Sequence, residues 1–555
     1  MLTPRFHHLK DRPVVYLSAE YAIEEGLPFY AGGLGVLAGD FLLEAGSQGL
    51  PVVAIGLFYR RGFETFNFAS PKADIDLAHH GFDLVKGKNS QPLLLQVELD
   101  HNIILVQVWE KSYGTARLYL LDTAVAKNSP ADQMIAGFLY PKDFKTKLMQ
   151  EVVFGVGAVK LLRSLSLRPS IYHLNEGHTA FAVLALAVEY LHDHPEVTDF
   201  ADALAKIKPE IVATKHTILP GAGLFFSRTD FEGILDQYLR RHNVSFEDFC
   251  DIGSWEREPQ IFSMTKFLLN TVSRANAVSQ LHAKFEKLIH KGSQLFPITN
   301  AVNLKRWQAP EFHGTDPKAL SDHELWRIHT AYRKALVHLV SEETGNQLDP
   351  AALTVVWARR FAAYKRPTLL FRNPKRLMKL MTNRNRPVQF IISGQPNISD
   401  EEGIASLKEI LKYTQSPDFA GKVVWLPNYS LGLAKKLVLG ADIWFNTPER
   451  GKEASGTSGM KSMSNGGLQI SSRDGWVDEV DWQELGWILP EPEPGTQSKI
   501  YDILEREVVP LFYGRDSEGL PREWIRMMRS SMLLTQKEYS TKRMLEEYYN
   551  KLYFP

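Results

Sequence analysis

With 555 residues the chain is too long for a single hydrophobic core, so we expect two large domains. Basic residues (Lys and Arg) and acidic residues (Asp and Glu) each number 64, and this balance excludes the strong charge bias of a nucleic-acid or membrane-surface protein. The single cysteine, Cys250, excludes an internal disulfide, and neither a signal peptide nor a membrane-spanning run is visible, so we expect a cytoplasmic protein.

Short aliphatic and β-branched runs alternate with helical patterns along most of the chain. In the first half the runs are "PVVYLS", "PVVAIGLF", "SIYHLN" and "EIVATK", and in the second half "LTVVWA", "PVQFIIS", "GKVVWLP" and "GADIWFN". Buried parallel strands have near-continuous apolar sequences of this kind. The alternation therefore predicts an α/β fold made of two Rossmann-like domains that face each other across a cleft.

The boundary between the two domains is predicted near residues 297–310, where a helical pattern replaces the strand series. This gives an N-terminal domain over 1–303, a C-terminal domain over 304–530 and a terminal amphipathic helix over 531–555. Within the first domain, residues 64–125 have the pattern of inserted antiparallel strands.

The stretch "YAGGLGVLAGD" places Gly32, Gly33 and Gly35 directly before a helical pattern. Backbone N–H groups in such a loop suit an anion. The spacing does not match the dinucleotide fingerprint G-x-G-x-x-G, and this motif taken alone favours a structural turn.

A basic cluster follows the first strand-like run of the second half. "WARRFAAYKRP" contains Arg359, Arg360, Lys365 and Arg366. A solvated helix face is the usual explanation of such charges, whereas arginine forks and a lysine point charge also suit a phosphate dianion. Both interpretations stay open from these residues alone.

The histidine motifs do not have metal-site spacing. "HLNEGH" contains His173, Glu176 and His178, which differs from H-E-x-x-H, so we expect polar hydrogen-bonding roles in a cleft loop and no metal. For His216 in "ATKHTILP" a structural role is the default interpretation.

The glycine-rich stretch "EASGTSGMKSMSNGG", residues 453–467, surrounds a single lysine, Lys461. It is neither a Walker A motif nor a nucleophile elbow. A lysine in the first turn of a helix after a glycine-rich loop suits a Schiff base with an aldehyde such as pyridoxal phosphate. A flexible surface loop explains the same residues equally well.

Six segments in a fixed order resemble the α-glucan (glycogen, starch, maltodextrin) phosphorylases, in a short form. They are "YLSAEYAIEEGLPFYAGGLGVLAGD", "HLNEGHTAF", "KHTILPGAG", "PITNAVNLKRW", "ARRFAAYKRPTLLFR" and "EASGTSGMKSMSNG". The resemblance implies the two-domain GT-B glycosyltransferase fold, whose C-terminal helix crosses back to the first domain. It also implies reversible, retaining phosphorolysis of α-1,4-glucan to glucose 1-phosphate, and family analogy suggests a homodimer.

The resemblance also implies roles for individual residues. Lys461 would carry pyridoxal 5′-phosphate, whose phosphate exchanges a proton with inorganic phosphate, and Thr457 and Arg359 would contact the cofactor. Arg360 and Lys365 would bind substrate phosphate with the loop amide of Gly33 and its neighbour Gly32. The implied sugar-binding residues are Glu453, Ser455 and Gly456 at the 2- and 3-hydroxyls, Asn300 and His216 around O6, and Tyr364 near O2. Glu20 and His178 occupy further cleft positions.

The chain departs from the family pattern at Gln395 and Asn397, where the family has a lysine and a small residue or histidine. It also departs at Ser430, where the vertebrate-type enzymes have an arginine. Two alternative functions stay open: a nucleotide-sugar-dependent retaining glucosyltransferase and a glucan-binding homologue without catalysis. Related nucleotide-sugar enzymes carry Glu-x7-Glu, whereas here Glu453 is followed after seven residues by Lys461. An amine in place of the second carboxylate favours phosphorolysis.

Overall fold

The computed structural model describes residues 6, 9–27, 29–65, 74–99, 102–218, 224–290, 295–491 and 495–555. The strands are β1 (Val14–Ser18), β2 (Val52–Leu57), β3 (Asp83–Leu84), β4 (Leu94–Leu99), β5 (Asn102–Tyr113), β6 (Ala116–Asp122), β7 (Ile171–Asn175), β8 (Ile211–Lys215), β9 (Phe225–Ser227), β10 (Ser254–Trp255), β11 (Glu258–Ser263), β12 (Arg274–Ala277), β13 (Phe296–Pro297), β14 (Leu353–Ala358), β15 (Val388–Ser393), β16 (Val423–Leu426), β17 (Ile443–Asn446), β18 (Leu468–Ser472) and β19 (Gly486–Leu489).

The α-helices are α1 (Gly33–Ser47), α2 (Pro130–Gln133), α3 (Phe144–Ser164), α4 (Phe181–Asp193), α5 (Phe200–Ile207), α6 (Arg228–Glu232), α7 (Asp236–Arg241), α8 (Phe246–Gly253), α9 (Met264–Thr271), α10 (Gln280–Ile289), α11 (Leu304–Trp307), α12 (Asp322–Thr344), α13 (Pro374–Met381), α14 (Glu401–Thr414), α15 (Leu431–Gly440), α16 (Ser458–Met463), α17 (Gly495–Ile503), α18 (Val509–Tyr513), α19 (Arg522–Glu538) and α20 (Thr541–Glu547). Short 3₁₀ helices include Gly177–Thr179, Ala363–Lys365 and Gly475–Glu479, and π-helical turns cover Leu504–Val508 and Tyr548–Tyr553.

Two largely parallel sheets organise the chain. The first has the order β13-β12-β8-β7-β1-β2-β6-β5-β3, with β4 also beside β5, and the second has the order β16-β15-β14-β17-β18-β19. All neighbours in the second sheet are parallel, as are those from β13 to β6 in the first. The prediction of an α/β fold with parallel sheets is confirmed.

Antiparallel strands extend one edge of the first sheet. β5 runs antiparallel to β3, β4 and β6, and all four strands lie within the segment 64–125 for which antiparallel strands are predicted. Residues 66–73 and 100–101 of that segment lie outside the described residues. A separate antiparallel sheet, in the order β10-β11-β9, is not anticipated by the sequence analysis.

Each large sheet is buried in its own apolar core. Helix α19 belongs to the core of the second sheet through Trp524 and Met528, whereas α20 and the turn after it reach the core of the first sheet through Met544 and Tyr548. The C-terminal segment therefore packs against strands that lie far away in the sequence. The domain boundaries at 303 and 530 stay predictions.

The loops that follow the strands carry the residues named in the sequence analysis. β1, β7 and β8 of the first sheet lead to Glu20, His178 and His216, and β14 and β17 of the second lead to Arg359 and Glu453. Such loops at the carboxyl ends of parallel strands are where open α/β sheets bind ligands. Across the described ranges, no helix combines the length and the apolar character needed to cross a bilayer.

Candidate active site

A carboxylate bound by two cations lies at the carboxyl edge of the second sheet. Glu453 Oε2 accepts hydrogen bonds from Arg359 Nη2 and from Lys365 Nζ, each at 2.8 Å. Arg359 directly follows β14 and Lys365 ends the 3₁₀ turn after it, so one short segment supplies both cations. Burial opposes ionisation of the Glu453 carboxyl, but the two cations outweigh burial and lower its pKa to about 2.

Arg359 keeps one polar atom without a partner. Its Nη1 donates to Asn446 Oδ1 at the end of β17, and Asn446 in turn donates to Ser471 Oγ at 3.0 Å. Its Nε is buried and has no hydrogen-bond partner among the described residues. Because an unsatisfied buried donor is costly, this atom is available to a ligand acceptor.

Arg360, the next residue, lies differently. Its side chain is exposed, and within the described residues its guanidinium makes no hydrogen bond or ion pair. It still adds positive charge near Glu453, where it helps to lower the pKa of that carboxyl. Tyr364 lies beside the other cation, with its ring centre 4.9 Å from Lys365 Nζ. The three cations Arg359, Arg360 and Lys365 therefore follow the end of one strand, β14, with Tyr364 among them.

The loop after Glu453 offers further polar atoms. Ser455 is buried, and its Oγ has no partner in the described part of the chain. Gly456 has a φ of +81°, a left-handed conformation that favours glycine, and its carbonyl accepts from Trp476 Nε1 at 2.8 Å. Thr457 is buried immediately before α16. The loop is thus held through its backbone, while the Ser455 hydroxyl stays unpaired.

Lys461 lies in the middle of α16 with its amine buried in an aromatic setting. Its Nζ is 4.2 Å from the centre of the Trp307 ring, and no described carboxylate lies within ion-pair distance. Burial is the main cause that lowers its pKa to about 8. A small cavity of about 30 Å³ adjoins it, lined in part by Tyr30, Tyr429 and Trp444. An unpaired, partly deprotonated amine beside aromatic rings fits a flat aromatic aldehyde such as pyridoxal 5′-phosphate.

The glycine loop at the start of α1 is held by Glu20. Glu20 is buried, and its Oε2 accepts from the backbone N–H groups of Ala31 at 2.8 Å and of Gly32 and Gly35 at 3.3 Å each. The N–H of Gly33 has no acceptor among the described residues, as is usual for the first residue of a helix. These contacts place Glu20 beneath the loop, and its role as a substrate contact stays a prediction.

Beside the first sheet, His216 belongs to a hydrogen-bonded group. Its Nε2 lies 2.6 Å from Asn175 Oδ1, and its backbone N–H donates to Glu176 Oε2 at 2.8 Å. Burial lowers the pKa of His216 to about 4, against a smaller opposite effect of Glu176, so the ring is neutral at pH 7. Asn300 contributes a buried Oδ1 without a partner in the described ranges. Neutral His216 and Asn300 both suit sugar hydroxyls.

His178 is linked to Glu20 through Tyr140. Its Nδ1 lies 3.0 Å from Glu151 Oε1, its ring centre is 5.0 Å from that of Tyr140, and Tyr140 Oη donates to Glu20 Oε1 at 2.6 Å. His173, which the sequence analysis assigns to a cleft loop, lies instead in β7 and is completely buried. The loop placement is wrong because His173 lies within a parallel strand that is buried on both faces, where its ring is hydrogen-bonded to Tyr553 and Thr214.

The Glu453 loop meets the residues around His216 and Asn300 at a small apolar contact. Ala454 packs against Ile218, two residues after His216, and against Val278, whose carbonyl accepts from the backbone N–H of Asn300 at 3.1 Å. Ser279 Oγ also donates to the carbonyl of Ala454 at 2.6 Å. The Glu453 loop therefore adjoins His216 and Asn300, so residues that the family resemblance assigns to the sugar lie near one another.

Several functional candidates are missing from the sequence analysis. Trp307 and Asp474 stand out because Trp307 faces the amine of Lys461 and Asp474 accepts from the backbone N–H of Glu453 at 2.8 Å. Burial is the largest cause that raises the pKa of Asp474 to about 6. Trp307 ends the segment "PITNAVNLKRW" but is given no role there, and Asp474 lies outside the six segments. Glu176 has a φ of +74°, a strained conformation of the kind that clusters at functional sites, and only the backbone geometry reveals it.

The three departures from the family pattern have definite contacts. Asn397 Nδ2 donates to the carbonyl of Glu64 at 3.3 Å, and Gln395 accepts the N–H of Phe361 through its backbone carbonyl at 3.2 Å. Ser430 caps α15 by accepting from Leu433 N at 3.2 Å. Among the residues that the structure describes, no three His, Cys, Asp or Glu side chains are arranged to hold a metal ion.

Comparison with known proteins supplies the remaining observations. Residues 281–484 match the family described as carbohydrate phosphorylase. The chain is 34% identical to a maltodextrin phosphorylase of Thermococcus litoralis, over 98% of this chain and 70% of that protein. It is 31% identical to a glycogen phosphorylase of Aquifex aeolicus, over 99% of this chain and 87% of that protein. It is 28% identical to an uncharacterised protein of Methanocaldococcus jannaschii, over 98% of this chain and 100% of that protein.

Proposed function

The chain belongs to the carbohydrate phosphorylase family, and from this membership we infer that it is an α-1,4-glucan phosphorylase. It would release the non-reducing terminal glucose of glycogen, starch or maltodextrin as glucose 1-phosphate, reversibly and with retention at C1. Its substrates are then an α-glucan with inorganic phosphate in one direction, and glucose 1-phosphate with a shortened glucan in the other.

The observation that carries the proposal is the position of Glu453. One carboxylate lies 2.8 Å from two buried cations and begins the loop that contains the unpaired Ser455 hydroxyl. Phosphorolysis needs groups that bind a phosphate dianion next to groups that bind sugar hydroxyls, so that a phosphate oxygen can reach C1. Cations beside a carboxylate and a hydroxyl supply both kinds.

For the phosphate, we propose that Arg360, Lys365 and the backbone N–H of Gly33 act together. A phosphate dianion brought near a second phosphate is repelled unless cations surround it. Arg360 is exposed and unpaired within the described residues, and the N–H of Gly33 is likewise without an acceptor there. Lys365 would be shared between the incoming dianion and Glu453.

For the sugar, we propose Glu453, Ser455 and Gly456 at the 2- and 3-hydroxyl side, and Tyr364 near O2. His216 and Asn300 would bind around O6. His216 is suited to this task because burial holds it neutral: its Nε2–H donates to Asn175 Oδ1, which leaves Nδ1 as an acceptor for a hydroxyl. Glu453 remains ionised at neutral pH and accepts hydrogen bonds from hydroxyl groups.

The cofactor proposed from the family is pyridoxal 5′-phosphate, with Lys461 as its covalent attachment. Thr457 and Arg359 would hold its phosphate side, and Trp307 would pack near its ring. When bound, the group supplies a phosphate that can pass a proton to and from substrate phosphate. The contribution of this chain is to keep the amine desolvated and to leave Arg359 Nε unpaired among the described residues.

We further propose that the two sheets form the GT-B arrangement, with a first domain over 1–303, a second over 304–530 and a terminal helix over 531–555. The contacts of α20 with the first core support this division. The assembly proposed from family analogy is a homodimer, and the proposed location is the cytoplasm.

The test is a phosphorolysis assay with purified protein and a ladder of maltooligosaccharides from maltose to maltoheptaose. With inorganic phosphate, we expect glucose 1-phosphate and a product one glucose shorter. Parallel reactions receive UDP-glucose or ADP-glucose instead of phosphate. Glucose transfer from either nucleotide sugar without any phosphorolysis would replace the proposal with the glucosyltransferase alternative. Retention on amylose without either reaction would favour a glucan-binding protein.

A further inference from the structure

Three consecutive residues after β18 hold the loop that carries Glu453. The first is Asp474, which is 2% exposed. Its Oδ2 accepts from the backbone N–H groups of Glu453 at 2.8 Å and of Lys452 at 3.2 Å. A buried carboxylate that binds two successive N–H groups fixes the direction in which the chain enters the loop.

The second residue, Gly475, allows the two backbones to touch. Its φ is +55°, and a Cβ on this residue would lie 2.4 Å from the carbonyl oxygen of Ser455. A side chain here would therefore push Ser455 away or force the backbone to move. Ser455 can therefore lie where it does only because residue 475 is a glycine.

The third residue, Trp476, holds the end of the loop. Its Nε1 donates to the carbonyl of Gly456 at 2.8 Å. The indole is 1% exposed and is packed between Trp482 and Tyr539, with ring centres 5.6 Å and 4.8 Å away. Because the ring cannot turn without disturbing these neighbours, the hydrogen bond fixes the carbonyl of Gly456.

The contacts follow one another along two stretches of chain that run in the same direction. Asp474 holds the N–H of Glu453, Gly475 touches Ser455 and Trp476 holds Gly456. All of them go to the backbone of the loop, so they fix its position without using the Glu453 carboxylate or the Ser455 hydroxyl. The side chains remain available to a ligand while their Cα positions are fixed.

We propose that Asp474, Gly475 and Trp476 form a positioning segment that sets the affinity of the site for glucan. The proposal rests on the proposed function, since it takes Glu453, Ser455 and Gly456 as the sugar contacts. It assigns to the segment the geometry of these groups and no direct contact with substrate. Preorganisation of this kind raises affinity because the loop does not have to be ordered when the sugar binds.

The first experiment measures steady-state kinetics of Asp474→Asn with maltopentaose and inorganic phosphate varied separately. Asparagine keeps the shape but replaces one acceptor oxygen with an amide donor and removes the charge. We expect the KM for maltopentaose to rise roughly tenfold or more, with the KM for phosphate changed less than about threefold. Pyridoxal content is measured in parallel and should stay at the wild-type value.

The matched control is Asp481→Asn. Asp481 is an exposed acid on the same stretch, and its Oδ1 accepts only from Gln483 N, at 3.2 Å, among the described residues. This variant should keep both KM values within about twofold of wild type. A second test variant, Trp476→Phe, removes only the donor to Gly456 and retains most of the ring packing, so it serves if Asp474→Asn fails to fold.

Hydrogen exchange of the peptide that covers residues 452–456 tests the positioning separately from catalysis. Exchange should become roughly tenfold faster in Asp474→Asn and in Trp476→Phe, but not in Asp481→Asn. Wild-type kinetics and wild-type exchange in both test variants would overturn the proposal. If the wild-type protein releases no glucose 1-phosphate, the proposed function fails, and the exchange measurement alone decides whether the segment positions the loop.

Discussion

The amine of Lys461 faces the ring of Trp307, with the nitrogen 4.2 Å from the ring centre. Asp40 holds that ring in place, because the indole N–H donates to its two carboxylate oxygens at 3.0 and 2.8 Å. The Asp40 carboxylate therefore binds the indole and Arg306, and Lys461 has no ion pair among the described residues. This arrangement leaves Lys461 as a buried amine without a counter-charge among the described residues.

Lys461→Ala should remove a covalent pyridoxal group. Purified wild-type protein is expected to show a pyridoxal chromophore that borohydride fixes to residue 461, as read by mass spectrometry of the peptide. Lys452→Ala is the matched control, because its amine pairs with Glu449 at 2.8 Å and is 40% exposed. An active Lys461→Ala protein that contains no cofactor would contradict the assignment.

Reactivity of Lys461 should depend on pH with a midpoint near 8. Burial lowers the pKa of this amine from its usual value to about 8, so the reactive neutral form gains population as pH rises through that value. We expect the initial rate at which cofactor-free protein takes up pyridoxal 5′-phosphate to rise from pH 6.5 and to level off above about pH 9. A midpoint near 10, typical of an exposed lysine, would show that the amine is not desolvated.

Arg360→Ala should lose phosphorolysis by at least about 100-fold in kcat/KM for phosphate, because an arginine contact to a dianion is removed. Pyridoxal content should stay unchanged, since Arg360 is exposed and its guanidinium makes no hydrogen bond or ion pair within the described ranges. Arg372→Ala, also an exposed arginine, is the control and should retain wild-type kinetics. Near-normal activity of Arg360→Ala would remove this residue from the phosphate site.

Glu453→Gln should destabilise the protein at neutral pH by about 3 kcal/mol, because it leaves Arg359 and Lys365 buried without a counter-charge. The folded-state pKa of Glu453 is lowered from 4.5 to about 2, so the ionised carboxylate stabilises the fold above pH 4.5. That contribution is lost as the pH falls from 4.5 toward 2.

Urea unfolding of this variant and of wild type, followed by tryptophan fluorescence between pH 7 and pH 2, measures the difference. The two midpoints should converge toward pH 2. Glu449→Gln is the control: its carboxylate is 49% exposed, and its loss should cost less than about 1 kcal/mol at any of these pH values. A constant gap between wild type and Glu453→Gln across the pH range would refute the ion-pair argument.

Tyr553→Phe should cost about 1–3 kcal/mol of unfolding free energy, because it leaves the buried Nδ1 of His173 without a partner. In the structure Tyr553 Oη lies 2.7 Å from that nitrogen. Tyr549→Phe is a close control, since its hydroxyl is buried without a partner in the described part of the chain. It should be neutral or stabilising, and equal losses in both variants would contradict the assigned hydrogen bond.

The fold was predictable where strands are long and apolar. Runs such as Leu353–Ala358 and Val388–Ser393 are buried along their whole length, so periodicity alone identifies parallel strands. The small sheet of β9, β10 and β11 was not predictable, because its strands are short and β11 begins with the exposed residues "EPQ". Its pairing depends on tertiary contacts that no local pattern encodes.

The site was predictable as a set of residues and not as a geometry. The sequence names Glu453, Arg359 and Lys365, but their shared hydrogen bonds join positions 88 and 94 residues apart. His173 was misassigned for the same reason, since its partner Tyr553 lies 380 residues away. Asp474 escaped notice because an aspartate before a glycine usually indicates only a turn.

The reach of the C-terminal segment has a consequence for synthesis. The last strand of the first sheet ends at Pro297, whereas the residues that complete its core, among them Tyr548 and Leu552, follow the start of α20 at Thr541. During translation at roughly 5–20 residues per second, the first sheet leaves the ribosome on the order of 10–50 s before those residues exist. Throughout that interval its apolar surface is uncovered, so the nascent chain should be a client of ribosome-associated chaperones.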